Sequence, residues 1–146
     1  GFGDVAFERT SFADREQGKE FIGTAAALYG ISAAVYLSLL GPQGLRELGQ
    51  HIIQKCLYAK RRLAEIEGVK LRFSAFSFKE FVVDFSAAGK NVDEINRALL
   101  AEGIFGGREL GSAFDGLEGC ALYAVTELTT RENIDRLVDT LTVVLR

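Results

Sequence analysis

The sequence is poor in several residue types that often indicate a particular kind of protein. Its 146 residues include no methionine, no tryptophan, one histidine, one proline and two cysteines. Two cysteines cannot build the disulfide framework of a small secreted domain, and no basic segment leads into a short apolar stretch with a cleavage site. We therefore expect a reducing, cytoplasmic environment. Because the chain begins with Gly1, either an initiator has been removed or the chain is a piece of a longer protein.

A strong excess of one charge is also missing. The sequence has 17 basic and 20 acidic residues, a formal net charge of -3 and 48% hydrophobic residues. This balance excludes a disordered tail and a polyanion binder, so nucleic acid is not an expected partner. At roughly 100 to 200 residues per domain, the length predicts one domain with an ordinary core.

The first part of the chain joins a polar segment to a long uncharged one. Residues 1–20 show little apolar periodicity, and we interpret them as a connecting arm. Residues 21–40 contain no charged side chain and are long enough to cross a bilayer as a helix. However, small residues recur along one helical face, and Glu20 follows Lys19, so no tryptophan or basic flank anchors a membrane interface. We predict a buried helix outside the membrane.

A second helix is predicted after the turn Gly41-Pro42-Gln43-Gly44, because proline cannot continue a helix and glycine tolerates the backbone of a C-cap. An apolar stripe at three- and four-residue steps extends this helix to Glu67. The stripe consists of Leu45, Leu48, Ile52, Cys56, Ala59, Leu63 and Ile66. The opposite face carries mixed charges, which are typical of a solvated surface.

After Gly68 the apolar period changes from that of a helix to that of a strand. Alternating side chains predict strands near residues 69–73 and 81–85. A run rich in β-formers predicts a third strand over Cys120 to Leu128.

Two capping boxes predict the remaining helices. Asn91 with Glu94, and Thr129 with Glu132, have the spacing of an N-cap and its partner before amphipathic stretches. Gly103 ends the first of these helices, and the second ends the chain.

The order of these elements indicates an α+β fold with helices packed on one face of a small antiparallel or mixed sheet. In this interpretation the arm 1–20 precedes one folded domain, 21–146. That domain consists of a long helical connection, 21–67, and an α+β layer, 68–146.

Residue types that carry catalysis are few and isolated in this sequence. His51 has no second ligand at helical spacing, Cys56 belongs to the apolar stripe, and Cys120 opens a strand. The lysines stand in charged or turn surroundings, unlike the buried lysine of a Schiff-base enzyme. They are Lys19, Lys55, Lys60, Lys70, Lys79 and Lys90. The sequence therefore predicts no catalytic, cofactor-binding or metal-ligating residue.

The densest glycine cluster, Gly103 to Gly111, has two interpretations. Glycine loops bind phosphate when their amides point inward and a helix N-terminus follows. This cluster instead follows a helix and precedes a strand, without the spacing of a dinucleotide or P-loop motif. A turn is favoured, and a ligand loop stays open as an alternative.

Several blocks of sequence form a more specific pattern. Residues 33–48 read AAVYLSLLGPQGLREL, and further blocks follow at Val92–Asn96, Gly103–Gly107, Val125–Glu127 and Ile134–Val138. In order and spacing they resemble the glycine decarboxylase P-protein family, in particular subunit 1 of its two-subunit glycine dehydrogenases.

This resemblance implies the type I pyridoxal-phosphate transferase fold, in which a large cofactor domain precedes a small C-terminal domain. The present chain matches the small domain and its connecting helix, so the resemblance predicts a fragment. Members of the family decarboxylate glycine and transfer the aminomethyl group to the lipoyl arm of the H-protein. The Schiff-base lysine of the two-subunit form lies in subunit 2. The implied partners are therefore subunit 2 and the H-protein, with pyridoxal phosphate in the parent complex and none in this fragment, which is expected to be inactive alone.

One stretch departs from the family pattern. After Arg15-Glu16, where members commonly have Ala-Thr-Ser-Asn-Ile-Cys-Thr-Asn, this sequence matches only at Ile22 and Thr24. No active-site role is carried onto these positions, and a divergent member with an altered substrate is one alternative. Another is a non-enzymatic binding or oligomerisation module that self-associates or docks through the helix at 21–40.

Overall fold

The computed structural model describes residues 24–146, so the predicted arm at 1–20 and the departure from the family pattern before Thr24 lie outside the described residues. Three helices and four strands follow one another in this part of the chain. They are α1 (Thr24–Ala64), β1 (Lys70–Leu71), β2 (Glu80–Asp84), α2 (Val92–Ala101), β3 (Arg108–Glu109), β4 (Cys120–Ala124) and α3 (Arg131–Val144).

Helix α1 is interrupted at Gly41, where φ is 61° and ψ is -177°. This left-handed φ favours glycine, and the predicted break is confirmed at this residue. The helix resumes at once with Pro42 in its first turn, where a missing amide hydrogen costs nothing. It ends at Ala64 and not at Glu67 as predicted.

The chain divides into two compact units, one ending at Leu45 and the other beginning at Arg46. In the first unit, every side chain from Ala27 to Leu39 is exposed, so the prediction of a buried helix is wrong for this structure. Among the described residues, no helix has both the length and the hydropathy needed to span a membrane.

The second unit is built on a four-stranded sheet with the strand order β1-β2-β4-β3. All three strand pairs are antiparallel, which decides between the two predicted sheet types. Opposite partners such as Phe81 with Tyr123 and Val83 with Ala121 point to the same face of the sheet, and all four are buried.

The core of the second unit lies between this sheet face and the three helices. Helix α1 contributes the C-terminal part of its predicted stripe, from Ile52 onward, whereas Leu45 is 40% exposed. The largest fully buried side chains are Phe85, Leu63, Ile95, Leu99, Leu141, Val83, Cys56 and Cys120. Helices packed on one face of a small sheet confirm the α+β class.

One of the two predicted capping boxes has the predicted register. Asn91 Oδ1 accepts a hydrogen bond from the Glu94 amide at 2.9 Å, and Glu94 Oε2 accepts one from the Asn91 amide at 3.0 Å. At α3 the register is one residue later, because Thr130 caps the helix with Asn133. Thr129 instead accepts a hydrogen bond from the Thr126 amide at 3.1 Å and belongs to the preceding turn.

Three strands also differ from the prediction. Strand β1 is limited to Lys70–Leu71, whereas the alternation predicts a strand near residues 69–73. Strand β4 ends at Ala124 and not at Leu128, and the two-residue strand β3 was not predicted. The surrounding glycines hide the sequence signal of β3. This strand forms because Arg108 and Glu109 pair with Leu122 and Ala121 of β4.

Candidate functional site

The loop from Gly103 to Gly111 leaves α2, forms β3 and turns towards β4. Gly103, with φ of 71°, ends α2, and the amide of Ile104 donates to the Leu99 carbonyl at 2.9 Å. Farther along, Asn96 Nδ2 donates to the Gly107 carbonyl oxygen at 2.8 Å. The Asn96 side chain of α2 therefore fixes the backbone of this loop.

Two glycines of this loop are required by close packing. A Cβ atom on Gly106 would lie 2.0 Å from Asn96 Oδ1, and one on Gly107 would lie 2.4 Å from the Tyr123 ring. The space next to these glycines is therefore filled by side chains of α2 and β4. This geometry favours a packed turn over a loop that cradles phosphate.

Two buried polar atoms face this region and have no hydrogen-bond partner among the residues that the structure describes, namely Asn96 Oδ1 and the Tyr123 hydroxyl. Burial raises the pKa of Tyr123 to about 12. The nearby Gly107 backbone offsets this shift in part, although no hydrogen bond of normal geometry joins it to the Tyr123 hydroxyl. A phenol with this pKa stays protonated at neutral pH. Tyr123 can therefore donate a hydrogen bond but cannot act as a general base.

A cavity of about 180 Å³ lies beside the same loop. Its wall is mainly apolar and includes Ile104, Phe105 and Leu137, and among the described residues that line it Tyr123 is the only ionisable side chain. Phe105 is 90% exposed. The cavity suits an apolar side chain and lacks the groups needed for proton transfer.

The other side chains singled out in the sequence do not form a catalytic group. His51 is exposed on α1, whereas Cys56 and Cys120 are 0% and 1% exposed. Burial raises the pKa of both thiols, so neither has the character of a reactive thiolate. Within residues 24–146, no three His, Cys, Asp or Glu side chains are grouped so that they could hold a metal ion.

None of the lysines that the structure describes is buried. Lys55 Nζ donates to the Glu127 carbonyl at 2.6 Å, and Lys60 Nζ donates to Ser77 Oγ at 2.9 Å. Lys90 donates to the carbonyl of Val144, and Lys19 lies outside the described residues. These amines bind backbone and hydroxyl oxygens in solvated positions.

The most distinctive surface in the described part of the chain is apolar and lies on α1 before Gly41. We call it the α1 apolar surface, and each of its large side chains is at least 50% exposed. They are Leu28, Tyr29, Ile31, Val35, Tyr36, Leu37 and Leu39. Such a cluster of exposed apolar side chains is typical of a surface that another protein segment covers.

The fold of the chain is similar to that of a solved enzyme of glycine cleavage. A crystal structure of glycine decarboxylase (P-protein) of the glycine cleavage system, in inhibitor-bound form, matches with a TM-score of 0.74 and 30% identity. The match covers 94% of this chain and 30% of that one. The model of the family named glycine cleavage system P-protein matches residues 8–141, and the chain belongs to that family.

Named relatives agree with this assignment. A probable glycine dehydrogenase (decarboxylating) subunit 1 from Sulfurisphaera tokodaii is 40% identical over 141 residues, 97% of this chain and 29% of the relative. One from Geobacillus kaustophilus is 41% identical over 127 residues, 87% of this chain and 28% of the relative. The chain thus spans less than a third of the length of these relatives, and the resemblance found in the sequence is confirmed.

The described residues do not fit the cofactor that the family implies. A pyridoxal-phosphate site needs an accessible lysine shielded from water and a cradle for the phosphate. The described lysines are solvated, and the glycines that suggested a cradle are packed against Asn96 and Tyr123.

Proposed function

We propose that this chain is the small domain of a subunit 1-type glycine dehydrogenase (decarboxylating), and that its own part is structural. The parent enzyme would decarboxylate glycine with pyridoxal phosphate and pass the aminomethyl group to the lipoyl H-protein in the cytoplasm. Support comes from relatives so named, at about 40% identity over most of this chain.

The α1 apolar surface is the observation that best supports a structural part. A leucine side chain gains roughly 1.5–3 kcal/mol when it moves from water to an apolar contact, so several such residues together favour association strongly. Leu39 is 81% exposed and Tyr29 is 77% exposed. We infer that the remainder of the enzyme, either its large domain or subunit 2, covers this surface.

A segment exchange tests this function directly. Residues 8–141 of this chain would replace the matching segment of the Sulfurisphaera tokodaii relative, and glycine-dependent exchange of labelled bicarbonate would be measured with subunit 2 and the H-protein. We expect the chimera to assemble and to retain activity. A chimera that assembles but exchanges no bicarbonate would overturn the proposal and favour a divergent member with another substrate.

Two variants of the chimera separate the α1 apolar surface from the rest of the helix. Leu39→Glu places a charge on this surface and should prevent assembly. Leu57→Glu changes a leucine of the same helix that is 52% exposed but lies beyond Gly41, and it should be tolerated. Equal assembly of the two variants would show that the surface has no such function.

The isolated chain gives a complementary test of its catalytic part. It should show no Schiff-base absorption band with pyridoxal phosphate and no lysine that borohydride modifies. A band that borohydride removes, with a modified lysine found by mass spectrometry, would contradict a purely structural part.

The α1 apolar surface also supports a second candidate, a non-enzymatic module that associates with itself. Light scattering after size-exclusion chromatography would detect dimers of the isolated chain, and Leu39→Glu should dissociate them. A monomer that assembles only with enzyme subunits would favour the first candidate.

A further inference from the structure

Three arginines surround one tyrosine between the C-terminal half of α1 and the start of α3. The guanidinium carbons of Arg61, Arg62 and Arg131 lie 5.5, 5.9 and 5.2 Å from the centroid of the Tyr58 ring. All three distances are within the range of cation–π attraction. The aromatic ring therefore gathers positive charge in a chain whose formal net charge is -3.

Carboxylates neutralise only part of this charge. Asp135 accepts a hydrogen bond from the Tyr58 hydroxyl at 2.6 Å, pairs with Arg62 and lies 3.6 Å from Arg131. Glu65 pairs with Arg62 at 3.1 Å. Arg62 is thus well compensated, whereas Arg131 shares Asp135 at a longer distance and also attracts the neighbouring Glu132 carboxylate.

Two further cations have no carboxylate partner within the part of the chain that the structure describes. Arg61 forms no ion pair there, and Lys55 donates to a neutral carbonyl oxygen, that of Glu127. Together with Arg131, they form what we call the Tyr58 pocket. This group of positive charges attracts a small anion, most strongly at low ionic strength because the Arg61 and Arg131 side chains are exposed to solvent.

A cavity of about 320 Å³ opens among these side chains. Lys55, Arg61 and Arg131 provide charged donors in its wall, and Gln54 adds an amide. Tyr58 and Ile134 provide an apolar floor. A planar guanidinium is well suited to bind two oxygens of a carboxylate or phosphate.

We propose that the Tyr58 pocket binds a small organic anion. Its carboxylate or phosphate group is held by Arg61 and Arg131, and its apolar part lies on the Tyr58 ring. The site uses neither the α1 apolar surface nor any group of the glycine reaction, so it stands or falls separately from the proposed function.

Titration of the 146-residue chain at low ionic strength tests the site with three probes. Phenyl phosphate carries both features of the ligand, inorganic phosphate carries only the oxyanion, and benzoate replaces phosphate by carboxylate. We expect saturable binding by calorimetry, strongest for phenyl phosphate or benzoate and weaker in salt because exposed charges are screened. Which of the two aromatic probes binds more tightly identifies the preferred anion.

Single substitutions assign the binding to this pocket. Arg61→Gln and Arg131→Gln should each weaken binding about tenfold, the loss expected for one charge-assisted hydrogen bond. Tyr58→Leu should weaken phenyl phosphate more than inorganic phosphate, because only the former contacts the ring. Arg97→Gln, which removes an exposed arginine of α2, is the matched control and should leave binding unchanged.

Amide chemical shifts provide a readout that needs no substitution. The probes should shift residues 54–61 and 131–134 in the unaltered chain. Shifts spread over the whole surface, no saturation with any probe, or equal weakening by Arg61→Gln and Arg97→Gln would overturn the proposal.

Discussion

Helix α1 places leucines in two opposite environments on the two sides of Gly41. Leu39, before the break, is 81% exposed, whereas Leu63, after it, is fully buried. The second part of the helix alternates an apolar stripe with charged residues and can bury one face in its own unit. The stretch 21–45 has no charged side chain. This difference shows that an amphipathic helix can bury its apolar face in the core of its own unit. A helix that is apolar on several sides needs another protein segment to cover it.

The largest expected effect compares these two leucines. Leu63→Ala should lower the free energy of unfolding by about 2–5 kcal/mol, because it leaves a cavity in a packed core. Leu39→Ala should change it by less than about 0.5 kcal/mol in the isolated chain. Urea denaturation followed by circular dichroism measures both. Similar losses would mean that the two parts of α1 do not differ in burial.

Glycines in the two regions should respond with opposite signs. Gly107→Ala forces a methyl group against the Tyr123 ring and should cost about 1–3 kcal/mol. Gly30 is helical, and an added Cβ would meet no side chain beyond its chain neighbours within 4 Å, so Gly30→Ala should stabilise its helix by about 0.5–1 kcal/mol. Thermal and urea unfolding of the two variants check the signs. A tolerated Gly107→Ala would argue against the packed turn.

Polar side chains should also matter more in the second region. Asn91→Ala removes the capping box of α2 and should cost about 1 kcal/mol. Ser32, in the first region, donates only to the Leu28 carbonyl of its own helix at 3.1 Å. Ser32→Ala should therefore be neutral or slightly stabilising, since alanine is the better helix former. The same urea experiment separates the two outcomes.

The smallest effect concerns pH and is confined to the second region. Hydrogen bonds from the Ser86 hydroxyl and amide, opposed in part by burial, lower the pKa of Asp84, and Arg72 adds a weaker attraction. A lowered pKa stabilises the fold above the pKa of the unfolded chain, and the contribution disappears as pH falls through the folded value.

Asp84→Asn should therefore cost up to about 1 kcal/mol at pH 7, and the difference from the unaltered chain should shrink below about pH 4. Urea denaturation at pH 7, 5 and 3 measures this difference. Ser86→Ala, which removes the main donor, should show the same trend. A difference that does not change with pH would contradict the assignment.

Local signals in the sequence predicted most of the elements. The stripe from Ile52 to Ile66, the alternation at Phe81 to Phe85 and the Asn91 box all depend on neighbours within one turn or one strand, and all appear in the structure. The break at Gly41 was also predictable, because few residues other than glycine adopt the positive φ found there.

Interactions between distant residues explain what the sequence did not predict. Gly107 meets Tyr123 from β4, and Tyr58 meets Asp135 from α3, so no local pattern reveals either pair. The Tyr58 pocket was therefore missed, although charged residues on the outer face of α1 had been noted. The exposure of residues 27–39 was missed because an apolar sequence indicates burial but does not show which protein segment covers it.

The two buried cysteines can serve as probes of how often the second unit opens. With no tryptophan, the chain lacks the usual fluorescent reporter of its core. Cys56 on α1 and Cys120 on β4 are nearly inaccessible, and burial raises the pKa of both thiols. A maleimide reagent can reach them only when helix and sheet separate. The rate of labelling, measured by mass spectrometry, would therefore report how often the second unit opens under native conditions.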